Sequence, residues 1–100
     1  MYGLIGKMLA APGRREDLLA ILQANIGPMP GCLSYIIARD PAGPDGIWVT
    51  EVWDTRESHA ASLQLEQVQA TIAQARPLMA GFGERFETEP LGGVGLDAEA

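Results

Sequence analysis

The chain has few residue types that support metal, disulfide or polyanion chemistry. Cys32 is the only cysteine and His59 the only histidine. One cysteine cannot form an intramolecular disulfide, so we expect a reducing compartment, the cytoplasm. One cysteine and one histidine are too few for a Cys/His zinc site, so we expect no metal. Seven basic against thirteen acidic residues give a formal charge of −6, which opposes binding to nucleic acid.

The chain also lacks long hydrophobic runs and cofactor fingerprints. No apolar run approaches the ~20 residues that span a bilayer, so we expect no membrane partner. The opening "MYGLIGKMLAAPG" has no basic region and is interrupted by Lys7, so it does not read as a signal peptide. The later "GGVG" is not followed by a helix or a lysine and is therefore no phosphate loop. We expect no tightly bound cofactor.

The hydrophobic pattern predicts the element order β-α-β-β-α-β. The predicted strands are Tyr2–Ala11, Cys32–Arg39, Ile47–Trp53 and Gly81–Pro90, and the predicted helices are Arg14–Ile26 and about Thr55–Arg76, with a break near Gln64–Glu66. This order is typical of a ferredoxin-like α+β fold, with one four-stranded antiparallel sheet and two helices on one face. We predict a single domain over residues 1–90, followed by a glycine-rich, acidic tail over 91–100.

Two local patterns give finer predictions. Asp54 begins "DTRE" and is followed three residues later by Glu57, which resembles a helix capping box. Thr55 is an almost equally good cap. In the fourth strand, Phe82 and Phe86 alternate with polar neighbours, which indicates a half-exposed strand.

The predicted sheet is apolar on both faces. Strand neighbours point to opposite sides, so the third strand divides into Ile47, Val49, Glu51 and Trp53 on one face and Trp48, Thr50 and Val52 on the other. Two helices cover one face only. We therefore predict a homodimer in which a second copy covers the other face, sheet against sheet.

Four side chains are candidates for a functional site: Glu51, Trp53, His59 and Tyr35. Each also has an ordinary structural interpretation. Glu51 fits a structural ion pair, His59 a surface position near a helix start, and both aromatic residues fit a core or an interface. Together, however, they place a carboxylate, an imidazole, an indole and a phenol on adjacent elements. That combination is typical of an aromatic-lined small-molecule pocket.

Five segments match a family pattern: Pro12-Gly13, "PGCLSY" (Pro30–Tyr35), "TEVW" (Thr50–Trp53), "ESHAASL" (Glu57–Leu63) and "RFE" (Arg85–Glu87). Through these segments the sequence resembles the antibiotic biosynthesis monooxygenases, over about residues 3 to 88. The resemblance implies a dimeric α+β barrel that oxidises quinol- or anthrone-like aromatic molecules with O₂, without metal or flavin.

The resemblance also implies roles for the candidate residues. His59 or Glu51 would be the catalytic base, Tyr35 a hydrogen-bonding partner and Trp53 a stacking wall for the substrate. Haem-degrading relatives use an asparagine on the first strand, and Tyr2–Ala11 contains none, so we do not expect haem degradation. Two alternatives stay open: a non-catalytic ligand-binding or stress-associated dimer, and an isomerase of small carbonyl compounds.

Overall fold

A computed structural model describes residues 1–96 of the chain. The strands are β1 (Tyr2–Ala10), β2 (Cys32–Arg39), β3 (Gly46–Trp53) and β4 (Met79–Thr88). The helices are α1 (Arg15–Ala24), α2 (Arg56–Ser62) and α3 (Glu66–Ala75), and a 3₁₀ turn spans Arg76–Leu78. The last four residues of the predicted acidic tail lie outside the described residues.

The four strands form one antiparallel sheet in the order β2-β3-β1-β4. This confirms the ferredoxin-like α+β fold. Cys32–Arg39 has the bounds that the sequence predicts, and the other strands differ from prediction by one or two residues at their ends. In the described part of the chain, no helix is long and apolar enough to cross a membrane.

The predicted break in the second helix is confirmed, whereas the predicted capping box is wrong. The chain turns between α2 and α3, where Leu65 adopts an extended backbone conformation. Thr55, not Asp54, caps α2: its hydroxyl oxygen accepts a hydrogen bond from the Ser58 backbone N–H at 3.0 Å. Because the helix begins at Arg56, the third helical position is Ser58, and Glu57 has no capping role.

The main core lies between the sheet and the helices. Leu18 of α1 and Ile47 of β3 are both 0% exposed. They belong to a buried cluster with Ala10, Leu19, Val49 and Ala75. This cluster fixes α1 and α3 over one face of the sheet, which we call the helix side.

The opposite, or rear, face of the sheet is apolar and more exposed. Strand register places Ile5 directly between Thr50 and Phe86, and Ile36 pairs with Thr50. Ile36 is 57% exposed and Phe86 is 53% exposed.

A bulge in β4 places its two phenylalanines on opposite faces of the sheet. Gly6 pairs with Arg85 and Met8 pairs with Phe82, so β4 has one residue more than β1 over this stretch. Such an insertion shifts the side chains beyond it to the opposite faces. Phe82 therefore shares the helix side with Met8, while Phe86 lies on the rear face.

Candidate functional site

Glu51 is the polar centre of the helix side. It stands on β3 two residues before Trp53, so both side chains point to the same face. The Trp53 indole Nε1–H donates a hydrogen bond to Glu51 Oε1 at 3.0 Å. The Glu51 side chain is only 13% exposed, so this carboxylate is largely withdrawn from water.

Burial raises the pKa of the Glu51 carboxyl above its ordinary value of 4.5. Desolvation is the largest effect because it penalises the charged form. The Trp53 hydrogen bond and the electrostatic effects of His59 and Arg85 lower the pKa of Glu51 and so act in the opposite direction. A carboxylate with a raised pKa binds a proton more strongly than an exposed carboxylate does. This suits a general base, whose pKa should lie close to the working pH.

His59 faces the same carboxylate from α2. Its Nε2 lies 3.7 Å from Glu51 Oε1, which is too long for a hydrogen bond but short enough for an ion pair when the imidazole is protonated. The imidazole lies between two aromatic rings, with centroid distances of 5.7 Å to Tyr2 and 5.5 Å to Trp53. These contacts hold the ring beside Glu51.

Tyr2 is itself held in place by charged neighbours. Its hydroxyl donates to Glu87 Oε2 at 2.6 Å, and Arg56 donates to the same oxygen at 2.8 Å. The Arg56 guanidinium also lies 4.8 Å from the centre of the Tyr2 ring. The hydrogen bond to Glu87 is the main cause of the raised pKa of Tyr2. Together, Glu87 and Arg56 orient the Tyr2 ring against the imidazole of His59.

Tyr35 lies next to Glu51 across the sheet, because the two residues are paired between β2 and β3. Burial raises the pKa of the Tyr35 phenol to about 12, and the charge of Glu51 adds to the effect. The hydroxyl therefore stays protonated at neutral pH and can donate a hydrogen bond to a ligand.

Two neighbouring cavities occupy the helix side. The inner cavity, of about 320 Å³, lies between the sheet and the helices. The outer cavity, of about 410 Å³, lies over β1 and β4. Both have the size of small-molecule sites. They share four lining residues: Met8, Tyr35, Glu51 and Phe82.

The structure brings the four candidate residues of the sequence together. Tyr35, Glu51, Trp53 and His59 all line the inner cavity. Their roles in binding or catalysis stay predictions. Sequence reasoning missed Phe82, which lines both cavities, and the site position of Arg85, which lines the outer one. The glycines flanking Phe82 were the available signal, since glycine within a strand often marks a bulge.

The described residues contain no cluster suited to a metal ion. Within residues 1–96, no group of three or more histidine, cysteine or acidic side chains could hold one. The Glu51 carboxylate instead accepts the hydrogen bond of the Trp53 indole.

Comparison with known families and structures gives a consistent assignment. Residues 1–74 match the family model described as antibiotic biosynthesis monooxygenase. A crystal structure from Chloroflexus aurantiacus J-10-fl, which is assigned by name to the same group, is 59% identical with a TM-score of 0.89. That match covers 95% of this chain and 97% of the other. The chain therefore belongs to the antibiotic biosynthesis monooxygenase family.

More distant structures support the fold alone. A protein from Pseudomonas aeruginosa is 22% identical with a TM-score of 0.78, over 91% of this chain and 94% of that one. A protein from Mycobacterium tuberculosis is also 22% identical, with a TM-score of 0.76, over 92% of this chain and 96% of that one. The search of curated proteins gives no match.

Proposed function

We propose that this protein is a cofactor-independent monooxygenase that oxidises quinol- or anthrone-like aromatic molecules with O₂. The observation that carries the proposal is the position of Glu51: a largely buried carboxylate with a raised pKa, lining both apolar cavities and flanked by Trp53 and His59. Family membership supports the reaction class. The family resemblance also implies that the reaction needs neither a metal nor a flavin.

The proposed reaction begins with a proton transfer. Glu51 removes a proton from the ring CH₂ group of an anthrone or from the O–H group of a quinol, and the electron-rich anion gives one electron to O₂. The resulting radical and superoxide combine at a ring CH carbon, where a proton completes the hydroperoxide. Loss of water then leaves one oxygen atom on the substrate as a carbonyl. One O₂ thus converts one ring CH₂ group, or the corresponding carbon of a quinol in its keto form, into one C=O group and releases one water molecule.

The surrounding side chains supply charge and shape. The Tyr35 hydroxyl, which stays protonated, donates a hydrogen bond to the developing oxyanion. Arg85 lines the outer cavity and places a positive charge near the same region. Trp53 provides an aromatic wall, and His59, whose Nε2 lies 3.7 Å from Glu51 Oε1, stabilises the carboxylate charge when the imidazole is protonated.

Oxygen uptake tests this proposal directly. Purified protein is assayed in an oxygen electrode with anthrone and naphthalene-1,4-diol, with the uncatalysed oxidation subtracted. We expect oxygen consumption in proportion to the protein concentration, with anthraquinone as the product from anthrone and 2-hydroxy-1,4-naphthoquinone as the product from naphthalene-1,4-diol. Thermal stabilisation by these compounds without any oxygen consumption would contradict the enzyme and favour the ligand-binding alternative.

We further propose that the protein is a homodimer through the rear face of the sheet. Ile36 and Phe86 are more than half exposed there, and burying a large apolar side chain contributes about 1.5–3 kcal/mol. A second copy, placed sheet against sheet, covers both of them at once.

The dimer has a simple test in sedimentation. We expect the wild type at micromolar concentration to have twice the mass of one chain, and Ile36→Glu to have the mass of one chain because it buries a charge in the interface. A wild-type mass equal to one chain would refute the dimer.

A further inference from the structure

Phe82 is a large apolar side chain that the fold leaves mostly exposed. It is 75% exposed, although phenylalanine is among the residues most often buried. It nevertheless lines both the inner and the outer cavity. Its ring is therefore a wall common to the two cavities, and a ligand that filled them would cover it.

The backbone of β4 places Phe82 on this face. The bulge opposite Lys7 puts Phe82 and Arg85 on the helix side together, although residues three apart in a regular strand point to opposite faces. Gly81, the residue before Phe82, has a φ of +156°, a conformation that favours glycine. Bulges of this kind redirect single side chains, often beside active sites.

The residues that line both cavities indicate where a ligand would lie. Glu51 and Tyr35 stand at the junction of the two cavities, as does Phe82. A ligand whose hydroxyl lies at Glu51 and Tyr35 is therefore placed at this junction. A second fused ring adds apolar surface that can pack on the exposed ring of Phe82, and a single-ring molecule lacks that surface.

We propose that Phe82 is a specificity-determining residue that selects fused-ring aromatic hydroxy compounds over single-ring ones. Its ring stacks on the second ring of the ligand, while the ligand hydroxyl lies at Glu51 and Tyr35. The proposal rests on the proposed function for the site and adds the substrate size and the residue that sets it.

Anaerobic binding tests the role of Phe82 separately from catalysis. Dissociation constants for hydroquinone and naphthalene-1,4-diol are measured by calorimetry under argon, for the wild type, Phe82→Ala, Phe82→Leu and Phe82→Trp. Since aromatic stacking contributes modestly, we expect the alanine and leucine variants to bind the two-ring compound about twofold to tenfold more weakly. Their affinity for hydroquinone stays the same, and the tryptophan variant keeps the preference for two rings.

The control is Leu91→Ala, which removes another exposed apolar side chain, 92% exposed and outside both cavities. It should change neither constant. An equal loss for both compounds in Phe82→Ala, or no loss for the two-ring compound, would overturn the proposal. Binding that follows the expected pattern without oxygen consumption would refute the proposed enzyme and leave the role of Phe82 intact.

Discussion

We expect Glu51→Gln to lower kcat for naphthalene-1,4-diol oxidation by about 10²–10⁴-fold, the usual contribution of a general base. This corresponds to about 3–5 kcal/mol of the activation barrier. Glutamine preserves the size of the side chain and can still accept the Trp53 indole hydrogen bond, which is 3.0 Å long in the wild type. The loss therefore reports the proton transfer rather than a change of shape.

The pH dependence of wild-type kcat tests the role of Glu51 independently. The active form of Glu51 is the carboxylate, so activity falls as the pH falls through its pKa. Because burial raises that pKa above 4.5, the acidic limb of kcat lies at higher pH than for an exposed carboxyl group. Trp53→Phe removes a hydrogen bond that lowers the pKa, so it moves the limb to still higher pH.

Glu57→Gln is the matched control because Glu57 is an exposed carboxylate on α2 outside both cavities. It should leave kcat and the pH profile unchanged. If Glu51→Gln kept the wild-type kcat while His59→Ala lost it, the base would be His59 and the assignment of Glu51 would be wrong.

We expect Trp53→Ala to lower the free energy of unfolding by about 3–5 kcal/mol, the usual cost of removing a buried large aromatic side chain. Trp53 is 1% exposed and packs with Tyr2 and Leu4 in a second buried cluster. The variant also leaves Glu51 without its indole donor in a poorly hydrated place. Trp53→Phe keeps most of the apolar contacts and should cost less.

Urea denaturation followed by circular dichroism measures both variants. Phe82→Ala is the control: it removes an aromatic side chain that is 75% exposed and should change the unfolding free energy by less than about 0.5 kcal/mol. A loss below about 1 kcal/mol for Trp53→Ala would show that the indole is not part of the core, contrary to the structure.

The fold was predictable because the chain marks the ends of its elements clearly. Pro12-Gly13, Gly27-Pro28 and the segment Asp40–Gly46 separate runs whose composition favours strand or helix. Helix caps were harder. Asp54 and Thr55 are adjacent and chemically similar, and only the position of the first helical residue decides between them.

The site was predictable where two of its residues lie on the same strand. It was uncertain where the contact depends on how neighbouring strands pair. Glu51 and Trp53 share a face because they are two residues apart on one strand. Tyr35 meets Glu51 only through the pairing of β2 with β3. Phe82 reaches the site through a bulge. A regular two-residue alternation has no bulge and would place Phe82 on the same face as Phe86.

The most direct test of the account is whether an aromatic hydroxy compound binds beside Trp53. The chain has two tryptophans: Trp53 lines the inner cavity, and Trp48 pairs with Lys7 on the rear face. Their indole N–H signals in a ¹⁵N-labelled sample are followed during titration with naphthalene-1,4-diol under argon, and Trp53→Phe assigns them. We predict that the Trp53 signal shifts and saturates while the Trp48 signal stays in place; movement of Trp48 alone, or of neither signal, would contradict the site.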